Sequence, residues 1–372
     1  MDDNSPMLSR SAKPASSMKK QICLVPKLTG LGGTASFQAK LIDGLNSRGI
    51  QHTYQIADPE NTAILVIGGT RRLWQLWRAR QRGVRVVQRL NGINWMHKVG
   101  KTSLRFFLRS EINNKLIAFI RRHLINHIVY QSNFCRDWWH DEFRKLPVSY
   151  QVTYNGVDLS RYSPTASLNH DQTAETPPED HYRILLVEGR LVGPYARGLH
   201  TAVKLAEAVR TDHRLPVELM VVGEVSDANK AQAHTLAPNL WITWRGVVPR
   251  DAVPAIDRSA HVLFSADLNA ACPNSVIEAL ACGLPVLAYD TGALAELVQE
   301  GAGEVVPYGA DHWQLEEPLI PPLAEACVKI LMDNRAYRLH ARARAEAAFG
   351  LDQMMTRYLD ALLGTDQGGA RL

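Results

Sequence analysis

The chain has 372 residues, 46% of them hydrophobic and 21% charged; this is room for two domains of ordinary size, and no apolar run approaches the roughly 18 to 20 residues of a membrane-spanning helix. The formal net charge of +5 hides a split, because residues 1–165 carry 25 Lys and Arg against 10 Asp and Glu while residues 166–372 carry 17 against 27. Two halves of opposite charge argue for two domains, the first with a basic surface suited to anionic lipid or nucleic acid.

Residues 1–20 are polar and lack the apolar core of a secretory signal, so they read as a disordered tail. The apolar run 21–26 predicts a strand, followed by a glycine-bearing loop and a helix over 34–49 with Thr34 as its N-cap. Gly32 and Gly33 let the backbone approach a ligand closely; the plain alternative is a tight turn, since the spacing is neither GxGxxG nor a Walker loop. Further short apolar strands at 63–69, 84–90 and 127–132 alternate with helical stretches, the pattern of a parallel sheet covered on both faces. The stretch 71–89 carries seven arginines and two tryptophans, and 100–124 interleaves bases with Phe and Leu. Both fit basic helices at a membrane surface, and the plain reading is a helix with one buried and one solvated face. Aromatics between bases also suit nucleic acid, but no nucleic-acid partner is expected. Residues 150–164, with NGVD at 155–158, close a first domain over 21–164.

Residues 165–181 are polar, proline-bearing and aperiodic, and read as a linker. Strands at 183–190, 217–224, 241–248, 261–266 and 285–290 then repeat the earlier alternation in a second domain over 182–348. Residues 349–372 include the amphipathic stretch 351–363. The fold class is therefore α/β, two doubly wound Rossmann-like domains. Cys23, Cys135, Cys272, Cys282 and Cys327 are scattered and odd in number, which fits reduced cytosolic thiols. The absence of CxxC, HExxH and Asp-x-Asp gives no reason to expect a metal.

The stretch 272–296, CPNSVIEALACGLPVLAYDTGALAE, is the richest in the chain. Ser275 followed by Glu278 predicts a capping box, Gly283 and Pro285 end the helix, and 286–289 is a buried strand. The unpaired N–H groups and positive dipole end of such a helix suit a diphosphate.

PNSVIEALACGLPV closely resembles the second-glutamate segment of the Glu-x7-Glu motif in retaining family-4 glycosyltransferases of the GT-B fold. Glu278 takes the second position; the first falls on Ala270, where the chain departs from the family. The resemblance extends to the glycine loop at 32–33, to NGVD, and to EGRLVGPYARG (188–198), where Arg190 and Arg197 match the two cations that neutralise a donor diphosphate. It implies that the two domains face each other across a cleft and that the C-terminal helix packs back on the first domain. It further implies transfer of a hexose-type sugar, with retention, from a nucleoside-diphosphate sugar to a hydroxyl of a glycan or lipid-linked acceptor. Neither cofactor nor metal is expected. Glu278 would clamp the ribose, with Asn274 and Ser275 offering N–H groups to sugar or phosphate. His97 is the family-like candidate for touching the donor sugar, with a structural histidine as the alternative, and Arg89 and Asn91 are candidates for acceptor contacts. The scattered thiols point to a cytoplasmic location, and the basic first half to peripheral contact at the inner membrane face. The alternative is a non-catalytic sugar-nucleotide-binding or scaffold protein derived from the family, for which Ala270 is the motive.

Overall fold

A computed structural model describes residues 20–30, 32–99, 103–165, 176–192 and 196–365. Nearly all of the expected tail and most of the expected linker lie outside the described residues.

The first sheet is parallel and six-stranded. It comprises β1 (Gln21–Val25), β2 (Gln51–Thr53), β3 (Asn61–Ile67), β4 (Arg85–Leu90), β5 (His127–Tyr130) and β6 (Ser149–Val152), in the order β2-β1-β3-β4-β5-β6. β1 and β5 are buried along their whole length, which a parallel strand covered on both faces requires. Four helices connect these strands: α1 (Gly33–Asn46), α2 (Leu73–Gln81), α3 (Leu104–His123) and α4 (Asn133–Phe143). Right-handed crossovers put α1 on one face and α2 to α4 on the other. The two apolar layers follow that division. Phe37, Leu41 and Leu45 of α1 pack on one side, and Leu76, Ile120 and Trp139 on the other. The expected N-cap at Thr34 is displaced by two residues: α1 starts at Gly33, with Gly32 as the capping residue.

The second sheet is formed by β7 (Tyr182–Leu191), β8 (Val217–Val225), β9 (Trp241–Gly246), β10 (Val262–Ser265), β11 (Val286–Tyr289) and β12 (Gly303–Val306). Its parallel order, β12-β11-β10-β7-β8-β9, is the doubly wound arrangement with a switch of direction between β7 and β10. Its connecting helices are α5 (Ala196–Thr211), α6 (Asp227–Leu236), α7 (Val253–Arg258), α8 (Asn274–Ala281) and the single turn α9 (Leu294–Leu297). The chain ends in α10 (Pro321–Met332), α11 (Asn334–Ala348) and α12 (Leu351–Leu363). The edge strands β2 and β12 have no counterpart in the sequence reading. Both are short and partly exposed, so their hydrophobic signal is slight.

α12 leaves the second domain and completes the first. Met354, Met355, Tyr358, Ala361 and Leu362 join the apolar layer of α1, β1 and β3. A Cβ on Gly44 would stand 2.5 Å from the Met355 sulfur, so a larger residue there would have to displace the Met355 side chain where α1 and α12 cross. The crossing is pinned by hydrogen bonds from the Val157 N–H to the Phe349 carbonyl and from the Leu351 N–H to the Val157 carbonyl, at 2.8 and 2.9 Å. The molecule is thus two doubly wound domains facing each other across a cleft, the GT-B architecture.

Candidate functional site

Open parallel sheets bind ligands beyond the carboxyl ends of their strands, at the point where strand order reverses. In both domains those ends face the cleft, and a cavity of about 520 Å³ lies there. Val187 to Gly189 at the end of β7, Val222 and Gly223 at the end of β8 and Asp267 after β10 supply the second-domain floor. The close packing of β7 on β8 depends on Gly223, whose φ is +138° and whose Cβ would lie 1.9 Å from the Glu188 carbonyl oxygen.

The start of α8 forms one wall, through Pro273, Asn274, Ser275 and Glu278. The N-cap is Pro273 and no side chain caps the first turn. The expected capping box is therefore not formed. Pro273, with a fixed φ near −68°, starts the helix two residues early and puts Ser275 inside it. The C-terminus behaves as the sequence suggests: Gly283 takes φ +68°, and the N–H groups of Gly283 and Leu284 return to the carbonyls of Leu280 and Ala279. α8 thus offers the cavity a helix start whose N–H groups have no side-chain acceptor, next to Asn274, whose buried Oδ1 has no partner.

Glu278 is not engaged with its own helix start. Its Oε1 accepts from Lys40 Nζ at 2.8 Å, across the cleft from α1, with both side chains largely buried. Ala270, at the departure from the family motif, also lines the cavity. Its backbone is held tightly: a Cβ on Gly292, where φ is +62°, would meet the Ala270 nitrogen at 2.5 Å.

The first-domain wall is a network of single side chains. Arg89 is 1% exposed and its guanidinium lies 3.8 Å over the Phe37 ring. It donates to Asn91 Oδ1 and, at 2.8 Å, to Asn155 Oδ1. Gln131 also donates to Asn91 Oδ1, at 2.7 Å, so this oxygen accepts from both side chains. Asn155 donates its Nδ2 to the Cys272 carbonyl at 2.9 Å and its N–H to Cys272 Sγ at 3.3 Å, joining this network to the residue that precedes the cap of α8. Burial holds the Cys272 thiol protonated, with its pKa pushed up to about 11.

Arg190 and Arg197 come together, but around a neighbouring hollow of about 100 Å³. Arg190 Nε pairs with Glu224 at 2.9 Å and Arg197 Nη1 with Glu317 at 3.4 Å, and both side chains remain substantially exposed. Residues 193–195 between them lie outside the described residues. Glu188 and Asp267 line both the hollow and the main cavity. Enclosure on the protein side pushes both carboxyl groups upward, and for Glu188 the nearby Asp267 charge adds to this.

Gly33 lines the main cavity, as do Arg89, Asn91, Asn274, Ser275 and Glu278. Gly32 is set back as the cap of α1. His97 lines neither hollow. It is 3% exposed, bonded through Nε2 to Glu111 Oε1 at 2.7 Å and packed edge-on to Phe107, which fits the structural alternative rather than contact with a sugar. Lys40, Glu188 and Asp267 escaped sequence reasoning. Lys40 sits mid-helix, where a lysine reads as a solvated face, and the two carboxylates are distant in sequence.

Fold and cavity together define a two-domain protein of GT-B architecture with a cavity between the domains. Residues 182–333, most of the second domain, match the family model described as glycosyl transferases group 1. No curated protein matches the chain. Among solved structures it is similar to HepE from Anabaena in complex with UDP-glucose, at TM-score 0.65 and 14% identity over 92% of this chain and 99% of that one. It is also similar to WaaG, a glycosyltransferase involved in lipopolysaccharide biosynthesis, at 0.64 and 15% over 92% and 100%. For sucrose-phosphate synthase from Thermosynechococcus elongatus the figures are 0.63 and 16% over 91% and 97%.

Proposed function

We propose that the protein is a retaining, hexosyltransferase-type glycosyltransferase of family 4, moving a sugar from a nucleoside-diphosphate donor to a hydroxyl of a glycan or lipid-linked acceptor. The observation that carries this reading is the uncapped start of α8 opening into the cleft with a buried carboxylate, Glu278, one turn further on. A diphosphate at that start satisfies the free N–H groups and the positive dipole end. Glu278 accepts from the ribose hydroxyls by exchanging its Lys40 partner for them. Arg190 and Arg197, each held by one exposed carboxylate, are available to exchange Glu224 and Glu317 for phosphate oxygens.

In this reaction the acceptor oxygen bonds to the anomeric carbon as the carbon–oxygen bond to the diphosphate breaks. The acceptor proton passes to the departing phosphate oxygen on the same face, which preserves configuration. Charge growing on the leaving group is met by the α8 start and the two arginines, so no divalent ion is needed. The place of action is cytoplasmic. Ala270 favours a second reading, a sugar-nucleotide-binding protein without turnover, because a methyl group stands where the family motif has a carboxylate.

A thermal-shift screen of UDP-, GDP- and ADP-sugars, followed by donor turnover in EDTA, tests both. One nucleotide should raise the melting temperature, and transfer should persist in the chelator. Loss of transfer in EDTA, restored by manganese or magnesium, rejects the metal-free mechanism. Binding without turnover of any acceptor favours the second reading.

A further inference from the structure

The outer face of the first domain carries more apolar surface than water favours. In α3 the buried positions are Ser110, Asn114, Ile120 and Arg121, with Leu116, Ile117 and Ala118 packed on the core, while Leu104, Phe106, Phe107, Leu108, Ile112 and Phe119 are exposed. Leu104, Leu108, Ile112, Lys115 and Phe119 recur three or four residues apart, and so lie along one side of the helix. Leu104 is 73% exposed and Ile112 64%. On α2, whose Arg80 donates to the His123 carbonyl at the end of α3 at 2.6 Å, Trp74 and Trp77 are stacked at 4.6 Å and both exposed. Contiguous exposed apolar side chains of this kind mark a docking surface.

The charges around the stripe select the occupant. Arg105, Arg109, Lys115 and Arg122 are exposed on α3, and among the described residues Arg105, Arg109 and Arg122 form no ion pair. A second copy laid symmetrically on this face would set these cations against each other. A nucleic acid would leave Leu108 and Ile112 without an apolar partner. A bilayer with anionic headgroups meets both demands at once: acyl chains take the apolar stripe and the headgroups take the arginines. Among the described residues no helix is long and apolar enough to cross a membrane, so contact is confined to the interface.

We infer that α2 and α3 seat the protein on an anionic lipid surface, with the first turns of α3 inserted among the headgroups. The loop before α3 places Asn91 in the cleft and Trp95 and Met96 in the adjoining hollow. Seating on α3 therefore brings the lipid surface to the cleft rim. The inference rests on surface chemistry alone and stands apart from the proposed reaction.

The test is sedimentation of the full chain with vesicles of phosphatidylcholine, alone or mixed with phosphatidylglycerol. The protein should sediment with mixed vesicles at low salt, be largely released near 1 M salt, where the screening length falls to about 3 Å, and bind neutral vesicles weakly. Trp74 and Trp77 should add a blue shift of emission. The variant L108S/I112S, altered only at exposed positions, should lose about tenfold or more in partitioning. R105E/R109E should lose the salt-dependent part. Leu339→Ser, at an exposed leucine on α11, should bind as the wild type does. No binding to mixed vesicles at low salt, or undiminished binding of L108S/I112S, overturns the inference. So does a dimer in light scattering that L108S/I112S abolishes while vesicle binding is absent, since the face would then be a self-contact.

Discussion

The second domain meets the cavity with the ends of elements, the last residues of β7 and β8 and the first turn of α8. The first domain meets it with the first turn of α1, but chiefly with side chains at and just beyond the ends of β4 and β5 and in the 150s, locked to one another through Arg89 and Asn155. Backbone groups at element ends are fixed by the fold itself and suit an invariant ligand part such as a diphosphate. Side-chain networks can be changed one residue at a time, and suit the part of a ligand pair that differs between enzymes. On this contrast the second wall is a general donor platform and the first is the adjustable side.

Four measurements sharpen or break that contrast. The largest effect belongs to Asn155→Ala, which strips a buried donor of Arg89 and the Cys272 carbonyl of their partner; chemical denaturation should show a loss of about 3 kcal/mol. A loss below about 1 kcal/mol would mean that the first wall is not held by this network.

Glu278→Gln keeps the size of the side chain but replaces a doubly accepting anion by one acceptor and one donor. Hydrogen bonds to charged groups contribute about 1.5 to 3 kcal/mol, so nucleotide affinity in calorimetry should fall on the order of tenfold to a hundredfold. Unchanged affinity would leave Glu278 as a tether for Lys40 alone.

Acidity separates the walls next. Glu188 and Asp267 hold protons more tightly in the folded chain than in the unfolded one. Stability from this source is full below the ordinary carboxylate range, about pH 4, and is lost as pH rises through the raised values. Asp267→Asn removes one titrating group and relieves the other, so the decline of melting temperature with rising pH should flatten. A slope identical to wild type would show that the two carboxyl groups do not sense each other. The smallest effect is expected of Ser275→Ala, because Pro273 is the cap: stability should change by no more than about 0.5 kcal/mol, where a true cap costs about 1.

The alternation of strand and helix was readable because buried parallel strands such as Cys23 to Val25 and Leu263 to Ser265 are continuous apolar runs. The stretch around Glu278 was readable because its chemistry is local, a loop, a helix start and a strand in one segment. Lys40 and Asn155 were a different matter. Asn155 was visible only as part of NGVD, and its role as a bridge between Arg89 and Cys272 comes from residues 66 and 117 positions away. The cap at Ser275 misled because Pro273 can begin a helix without any side-chain acceptor. The partner of His97 was not readable, because Glu111 lies 14 residues on, across a loop whose path no periodicity records.

The crossing of α12 onto α1 has a consequence for how the protein is made. The first domain's sheet is complete once Val152 has left the ribosome, yet Phe37, Leu41 and Leu45 stay uncovered on one side until Met354 and Tyr358 arrive. About 200 residues separate the two, which at 5 to 20 residues per second is a wait on the order of 10 to 40 s. During that interval an apolar face stands open on a nascent chain, and a chaperone that shields it until α12 is released would find its task set by the order of the elements.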